Sequence, residues 1–195
     1  MKILKDPMID FSPHGKVRFV ILGTMASFVA REINGGEAKY GSFYYHDGRN
    51  RFWGVLSLLL TGKRMKFSDI DEKMEFLNSH GVALANLVST VEVGDEVEGS
   101  SDRILFEAFE NGRLTFKSAK IQFKNLLETV SVFFSCHKKA EIVALLEGYR
   151  IANKIPSDDF VDRITFLHSP TRRGYQYIAD RWCESILSSH PFALD

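Results

Sequence analysis

The sequence predicts one α/β domain over residues 1–195, with three layers (α/β/α) and a central, mostly parallel sheet. Strand-like and helix-like segments alternate along the chain, which is typical of a parallel sheet covered by helices on both faces. Residues 17–22 (VRFVIL) are apolar on both faces, as in a buried central strand. The 195 residues are 45% hydrophobic and include 16 Phe, which is enough apolar material for one large core.

Local patterns predict the individual elements. Gly23 ends the first strand, and a helix with a broad apolar face follows at residues 49–60. Ser68 is expected to cap a second helix, which Gly81 is placed to end. Asn111-Gly112 lies between two alternating runs, which predicts a β-hairpin over residues 104–116. The other predictions are an irregular apolar segment at 82–91, an acidic loop at 92–102, strands at 130–134 and 163–167, and helices at 118–128, 138–148 and 175–188.

The net charge of zero hides an uneven distribution. Residues 1–66 hold 11 Lys/Arg and 5 Asp/Glu, whereas residues 67–110 hold 2 and 11. A neutral chain of this kind can still present a basic surface to a polyanion. Cys136 and Cys183 are expected to be reduced, mostly buried thiols. The N-terminus lacks the apolar core of a signal peptide, and no run is long enough to span a membrane, so a cytoplasmic location is predicted.

Ligands of parallel sheets bind beyond the carboxyl ends of the strands, and two segments fall there. The first is the loop that begins at Gly23, where a glycine after a buried strand allows a tight turn and a close approach by a ligand. The second is His168–Gly174 (HSPTRRG), in which a histidine follows a strand and two arginines precede a helix. Such a histidine can stabilise a developing oxyanion, and such arginines suit phosphate. An ordinary turn and a surface loop are the alternative interpretations.

An aromatic segment lies between these two loops. Residues 43–45 (FYY) precede a polar turn and a helix that opens with Arg49, Asn50 and Arg51. Flat aromatic rings beside basic side chains suit stacking on a nucleobase and contact with phosphate. The alternative is a structural role, in which the rings belong to the core and Asn50 fixes a loop. No metal-ligand spacing, nucleophile elbow or dinucleotide fingerprint is present in the sequence.

Taken in order, these segments resemble the uracil-DNA glycosylase superfamily, especially its mismatch-specific and hypoxanthine branches. The resemblance rests on GTMAS at residues 23–27, NRFW at 50–53, HGVAL at 80–84 and HSPT at 168–171. It spans about residues 17–188, and NRFW after an aromatic stretch is its strongest part. It implies the fold of that superfamily and hydrolysis of the N-glycosidic bond of a deaminated or mismatched base in DNA. The implied partner is DNA, with no cofactor, no membrane and no obligate protein partner.

The resemblance also implies three groups of site residues. The catalytic group is expected to hold the attacking water and to stabilise charge on the departing base, and it comprises Thr24, Ser27 and His168. The base-binding group comprises Gly23, Met25, Phe43, Tyr44, Tyr45 and Asn50. The DNA-binding group is expected to press into the groove and contact phosphates, and it comprises Ser169, Thr171, Arg172, Arg173 and Gly174.

The first motif departs from the superfamily pattern. Its usual Asp, Asn or Glu is missing, so only Thr24 and Ser27 are polar, and Glu32 and Asn34 are the nearby replacements. A hydroxyl is a poor base compared with a carboxylate. Two further classes of function therefore stay open beside the glycosylase. One is a non-catalytic nucleic-acid or nucleotide-binding member of the same fold, and the other is an unrelated α/β protein that binds a small ligand.

Overall fold

The computed structural model describes residues 1–6, 10–25, 51–95, 102–170 and 173–189. The strands of this part are β1 (Lys2–Lys5), β2 (Phe19–Gly23), β3 (Val82–Asn86), β4 (Val88–Val93), β5 (Leu114–Phe116), β6 (Ser131–Phe134) and β7 (Ile164–Phe166). Its helices are α1 (Phe52–Thr61), α2 (Ile70–His80), α3 (Asp102–Glu110), α4 (Ile121–Thr129), α5 (Ala140–Asn153) and α6 (Tyr175–Ser189).

The central sheet has four strands in the order β3-β2-β6-β7, and all its pairings are parallel. Every residue of β2 is buried, because alternate side chains enter opposite cores. Phe19 and Ile21 pack with α1, α2 and α6 on one face, whereas Val20 and Leu22 pack with α4 and α5 on the other. The predicted three-layer α/β/α arrangement with a mostly parallel central sheet is therefore confirmed.

A second, antiparallel sheet in the order β1-β4-β5 lies beside the first. The segment predicted as irregular, residues 82–91, is in fact β3 followed by β4, with Leu87 between them. The two strands belong to different sheets, so the apolar run has no single hydrophobic period. The sequence pattern therefore did not reveal the two strands. Helix α3 covers the antiparallel sheet and buries Leu105 and Ala108 against Val91 and Val93.

The hairpin predicted over residues 104–116 is wrong. Most of that segment is helix α3, and only β5 is extended. Asn111 and Gly112 end the helix instead of turning a hairpin. The Asn111 backbone and side-chain amides both donate to Glu107 O, at 3.2 and 2.6 Å, and Gly112 adopts a left-handed φ of 65°. The same dipeptide suits both structures because both require a left-handed residue.

Helix α2 begins one residue later than Ser68 suggests. Asp69 is the cap, and its Oδ1 accepts a 2.9 Å hydrogen bond from Glu72 N. The Ser68 amide donates in turn to the Glu72 carboxylate at 2.7 Å, which completes a reciprocal capping pair. Gly81 ends the helix in the left-handed region, as predicted. A side chain there would collide with the Lys16 carbonyl, so Gly81 also permits the close approach of the chain that enters β2.

Candidate functional site

The candidate site lies at the carboxyl edge of the central sheet. The strand order changes direction at β2, because β3 lies on one side of it and β6 and β7 lie on the other. Leu22, Phe134 and Phe166 are register partners across β2, β6 and β7. Residues two positions further along, Thr24 and His168, therefore leave the sheet at equivalent levels. Two strand spacings separate them, which corresponds to roughly 10 Å between backbones.

The loop after β2 is hydrogen-bonded to a carboxylate that α3 brings to this edge. Thr24 Oγ1 donates a 3.3 Å hydrogen bond to Asp102 Oδ1, at the first turn of α3. The backbone holds the loop as well, since the carbonyls of Gly23 and Thr24 accept from Leu87 N at 2.9 Å and Val88 N at 3.0 Å. An acid in the first turn of a helix is stabilised by the backbone dipoles. Asp102 is exposed, so its second oxygen is accessible to water.

The loops after β6 and β7 bring two imidazoles together. The rings of His137 and His168 meet edge to face, with centroids 4.4 Å apart and planes at 71°. The ring of Tyr177, on α6, lies 6.5 Å from that of His168. The backbone of His168 is held in place by helix α6, because Trp182 Nε1 donates a 2.6 Å hydrogen bond to the His168 carbonyl. Trp182 is fully buried and packs against Phe52, so this anchor is rigid.

Two titratable groups of the edge have shifted pKa values. Burial, followed by electrostatic repulsion from His137 and Arg181, lowers the pKa of His168. His168 is therefore neutral at pH 7, and a neutral imidazole can donate one N–H to an anion without competing as an acid. Burial raises the pKa of Cys136, and the Asp102 carboxylate adds to this effect. The thiol is therefore protonated and is not a nucleophile.

The Trp182 anchor gives a first testable prediction. Trp182→Phe keeps an aromatic ring in the core but removes the only N–H of the indole. The His168 carbonyl then loses this donor in a part-buried position, and we expect a loss of about 1–3 kcal/mol in the free energy of unfolding. Urea denaturation of the two proteins measures the difference. An unchanged midpoint and slope would show that the hydrogen bond does not hold the loop.

A buried polar cluster closes the end of β3 beside Gly23. Asn86, the register partner of Gly23, is 4% exposed, and its Nδ2 donates to Asp6 Oδ2 at 3.1 Å. Lys117 Nζ lies 2.9 Å from Asp6 and 3.2 Å from Asp10. Burial raises the pKa of Asp10, and Lys117 opposes the shift. These contacts tie the N-terminal segment and β5 to the sheet edge, which is a structural role.

Comparison with known proteins bears on the fold. No family model matches the chain, and no curated protein matches it. Among solved structures, the solution NMR structure of a "putative uracil DNA glycosylase" from Methanosarcina acetivorans is similar, with 18% identity over 97% of this chain and 98% of that chain. The TM-score is 0.50. The chain has a uracil-DNA glycosylase-like fold. At this identity the likeness shows the fold alone and does not select a branch of the superfamily.

The structure places only some of the expected site residues of this fold. Gly23 and Thr24 lie at the edge, as does His168, whereas half-buried Met25 packs against both the central core and the α3 core. Half-buried Ser169 follows His168, and exposed Arg173 lies over the Tyr177 ring, 5.8 Å from its centroid. Gly174 is exposed and precedes α6. Outside the described residues lie Ser27, Phe43, Tyr44, Tyr45, Asn50, Thr171 and Arg172, together with Glu32 and Asn34.

Three residues at the edge were not predicted from the sequence. Asp102 sits in a segment predicted as an acidic loop, and its contact with Thr24 spans 78 positions of the chain. His137 follows a strand end as His168 does, so the same positional argument would have found it. Tyr177 lies two residues into a helix with no local sign of function. Only the position of His137 is therefore readable from the pattern of strands.

Two further findings limit the chemistry. Among the residues that the structure describes, no three His, Cys, Asp or Glu side chains are grouped so that they could bind a metal ion. In the same part of the chain, no helix combines the length and apolar character needed to cross a membrane.

Proposed function

We propose that this protein is a DNA N-glycosylase that removes a deaminated or mismatched base, such as uracil or hypoxanthine. The observation that carries the proposal is the placement of the Thr24–Asp102 pair and of His168 at equivalent levels of the sheet edge, two strand spacings apart. This separation of the Thr24 and His168 backbones, roughly 10 Å, leaves room for a base extruded from DNA between them. The likeness in fold to a protein named a "putative uracil DNA glycosylase" points to the same chemistry.

In the proposed reaction, Asp102 and Thr24 hold a water molecule against C1′ of the deoxyribose. The water oxygen forms a bond to C1′ while the bond from C1′ to the base nitrogen breaks, and the bonding electrons leave with the base. Asp102 accepts the proton that the water loses. The neutral ring of His168 donates a hydrogen bond to the base as negative charge develops on it. The proton is finally returned to the base through solvent.

Asp102 thus fills the role for which the first motif has no carboxylate of its own. Carboxylates serve as general bases when they lie within reach of the proton that they remove, directly or through one water. The hydrogen bond from Thr24 orients the Asp102 carboxylate and leaves its second oxygen for the water. A non-catalytic DNA-binding protein of the same fold is the alternative, and it is favoured by the lack of an acid in GTMAS itself.

The test is a base-release assay on labelled duplexes that contain uracil, hypoxanthine or a mismatched thymine. We expect alkali-labile abasic sites with at least one of them and none with a fully matched, unmodified duplex. His14→Ala is a matched control, because His14 is exposed and its described hydrogen bond involves only its backbone amide. Tight duplex binding without release of any of these bases would support the non-catalytic alternative and overturn the glycosylase.

A further inference from the structure

Beside the candidate site, two arginines share one tyrosine ring. The guanidinium carbons of Arg51 and Arg64 lie 5.4 and 4.7 Å from the ring centroid of Tyr175, the first residue of α6. The Arg51 amide also donates to Pro170 O at 3.3 Å, which joins this cluster to the loop that carries His168. Cations over an aromatic face are held by the ring quadrupole. We call these three residues the Tyr175 cluster.

Local features of the backbone bring Arg64 and Tyr175 together in this cluster. After α1 the backbone turns at Gly62, which has a left-handed φ of 70°, and runs back along the helix. The Met65 amide donates to the buried Ser57 hydroxyl at 3.0 Å, which returns Arg64 toward the start of α1. Gly54 supplies the space for the ring, because a Cβ there would lie 2.4 Å from Tyr175 Cε1. A side chain at position 54 would therefore displace Tyr175.

A second cluster repeats the arrangement on the other side of the α6 N-terminus. Arg173 and Arg181 lie 5.8 and 5.6 Å from the ring centroid of Tyr177, whose plane is nearly perpendicular to that of His168. We call these three residues the Tyr177 cluster. The two tyrosines are two positions apart on the helix, so they point to different sides of it. Four guanidinium groups therefore flank the loop after β7.

Three of these four charges have no acidic partner within the described residues. Ion pairs are found there for Arg181, with Glu184 at 2.7 Å, but not for Arg51, Arg64 or Arg173. Asp180, the nearest acid along α6, accepts from Gln176. The first turn of α6 contains no acid, so the positive end of its backbone dipole adds to the field. Arginines that are aligned on rings and have no acidic partner among the described residues favour bidentate contact with phosphate.

We propose that the Tyr175 and Tyr177 clusters bind the phosphodiester backbone of duplex DNA on both sides of the base that enters the site. This inference rests on the proposed function and names the surface that holds the flanking duplex. The two tyrosines keep the guanidinium groups in place before DNA binds, which lowers the entropy lost when phosphates are contacted. Contacts to phosphate carry no sequence information directly, so this contribution to affinity is expected to be independent of sequence.

The experiment measures affinity for a fully matched, unmodified duplex over a series of salt concentrations. Such a duplex offers no base to excise, so the measurement does not depend on catalysis. Arg51→Ala combined with Arg64→Ala is expected to weaken Kd about tenfold or more near 0.1 M salt. The slope of log K against log salt is expected to fall by about 2, because each phosphate contact contributes about 0.9.

The matched control removes two positive charges from the opposite face of the sheet. Lys120 and Lys124 belong to the start of α4, which packs on the core opposite α1 and α6. Lys120→Ala combined with Lys124→Ala is expected to keep the wild-type slope. Equal losses in both double variants would mean that net charge alone acts, and that result would overturn the proposed surface. An unchanged slope in the arginine variant would do the same.

Two single variants distinguish the effect of aligning the arginines on the ring from the effect of their charge. Tyr175→Leu keeps both arginines but removes the ring, so we expect weaker binding with most of the salt dependence retained. Tyr175→Phe keeps the ring and is expected to bind as the wild type does. Equal binding by Tyr175→Leu and Tyr175→Phe would contradict the role of the ring. A duplex RNA of the same sequence that binds more tightly than the DNA would overturn the assignment to DNA.

The outcomes distinguish this surface from the proposed function. A reduced slope with no base release from any modified duplex would uphold the surface and reject the glycosylase. Base release by the wild type together with an unchanged slope in the arginine variant would uphold the glycosylase and reject the surface. Folding of every variant is checked by its urea midpoint, so that a loss of binding is not a loss of structure.

Discussion

His168→Ala is expected to lower the rate of base release by about 10²–10³-fold under single-turnover conditions, with little change in DNA affinity. The reason is that, in the proposed reaction, His168 interacts with the charge that develops on the departing base, and this charge exists only in the transition state. An interaction made only there changes kcat and not the binding of the ground state. The Trp182 hydrogen bond to the His168 carbonyl holds the loop in both the variant and the wild type.

The pH dependence of base release provides a second readout for His168. Its pKa lies below the ordinary value of about 6.5 because the ring is partly buried and because His137 and Arg181 repel its protonated form. The neutral, active form therefore persists as pH falls past 6.5, and activity declines only as pH passes the lowered pKa. His137→Ala removes one positive neighbour and exposes the ring. We expect the acid limb of the profile to move to higher pH.

The Glu184 carboxylate faces His168 as well and raises its pKa, which opposes the stronger effects. Glu184→Gln is therefore expected to move the acid limb in the opposite direction, to lower pH. His14→Ala should leave both the rate and the limb where they are. A wild-type rate in His168→Ala, with the acid limb still present, would assign the titration and the charge stabilisation to another group.

The fold could be predicted because the strongest patterns in the sequence agree with one another. The buried run that contains β2 and the Gly81 helix end needed only local patterns, and both are observed. The antiparallel sheet was missed because its strands are short or half-exposed and pair with partners far along the chain. Lys2 of β1, for example, pairs with Val93 of β4. The hairpin error has a different cause, since Asn111-Gly112 supplies the left-handed residue that a helix end also requires.

The sequence predicted the candidate site only for residues that lie at or just after the end of a strand. Gly23 ends β2, Thr24 follows it, and His168 comes shortly after β7, so parallel topology alone brings them to one edge. Asp102 could not be found in this way, because it reaches the edge from a helix that covers the other sheet. The Tyr175 cluster has the same character. Arg64 reaches the ring only because the backbone reverses at Gly62, and no pattern in the sequence marks that reversal as functional.

Asp102→Asn is expected to lower the rate of base release by about 10²–10⁴-fold while leaving the fold and DNA affinity intact. Asparagine has nearly the same shape and keeps an oxygen that accepts the Thr24 hydrogen bond. It cannot accept the proton that the attacking water must lose, so the loss falls on the chemical step. The loss of an acid from the first turn of α3 costs stability of only about 0.3–1 kcal/mol.

Glu107→Gln is the matched control for Asp102, because it removes one carboxylate from the same helix and, among the described residues, affects the exposed ion pair with Arg103. We expect it to release base at the wild-type rate. Asp102→Ala with added formate provides the decisive arm, since a small carboxylate that enters the space can restore proton transfer but cannot restore a helix contact. Recovery that saturates with formate, seen in Asp102→Ala and absent from His168→Ala, would identify Asp102 as the base. Wild-type activity in Asp102→Asn would instead indicate that Glu32 or Asn34 positions the attacking water. Glu32→Gln would then be expected to lower the rate of base release.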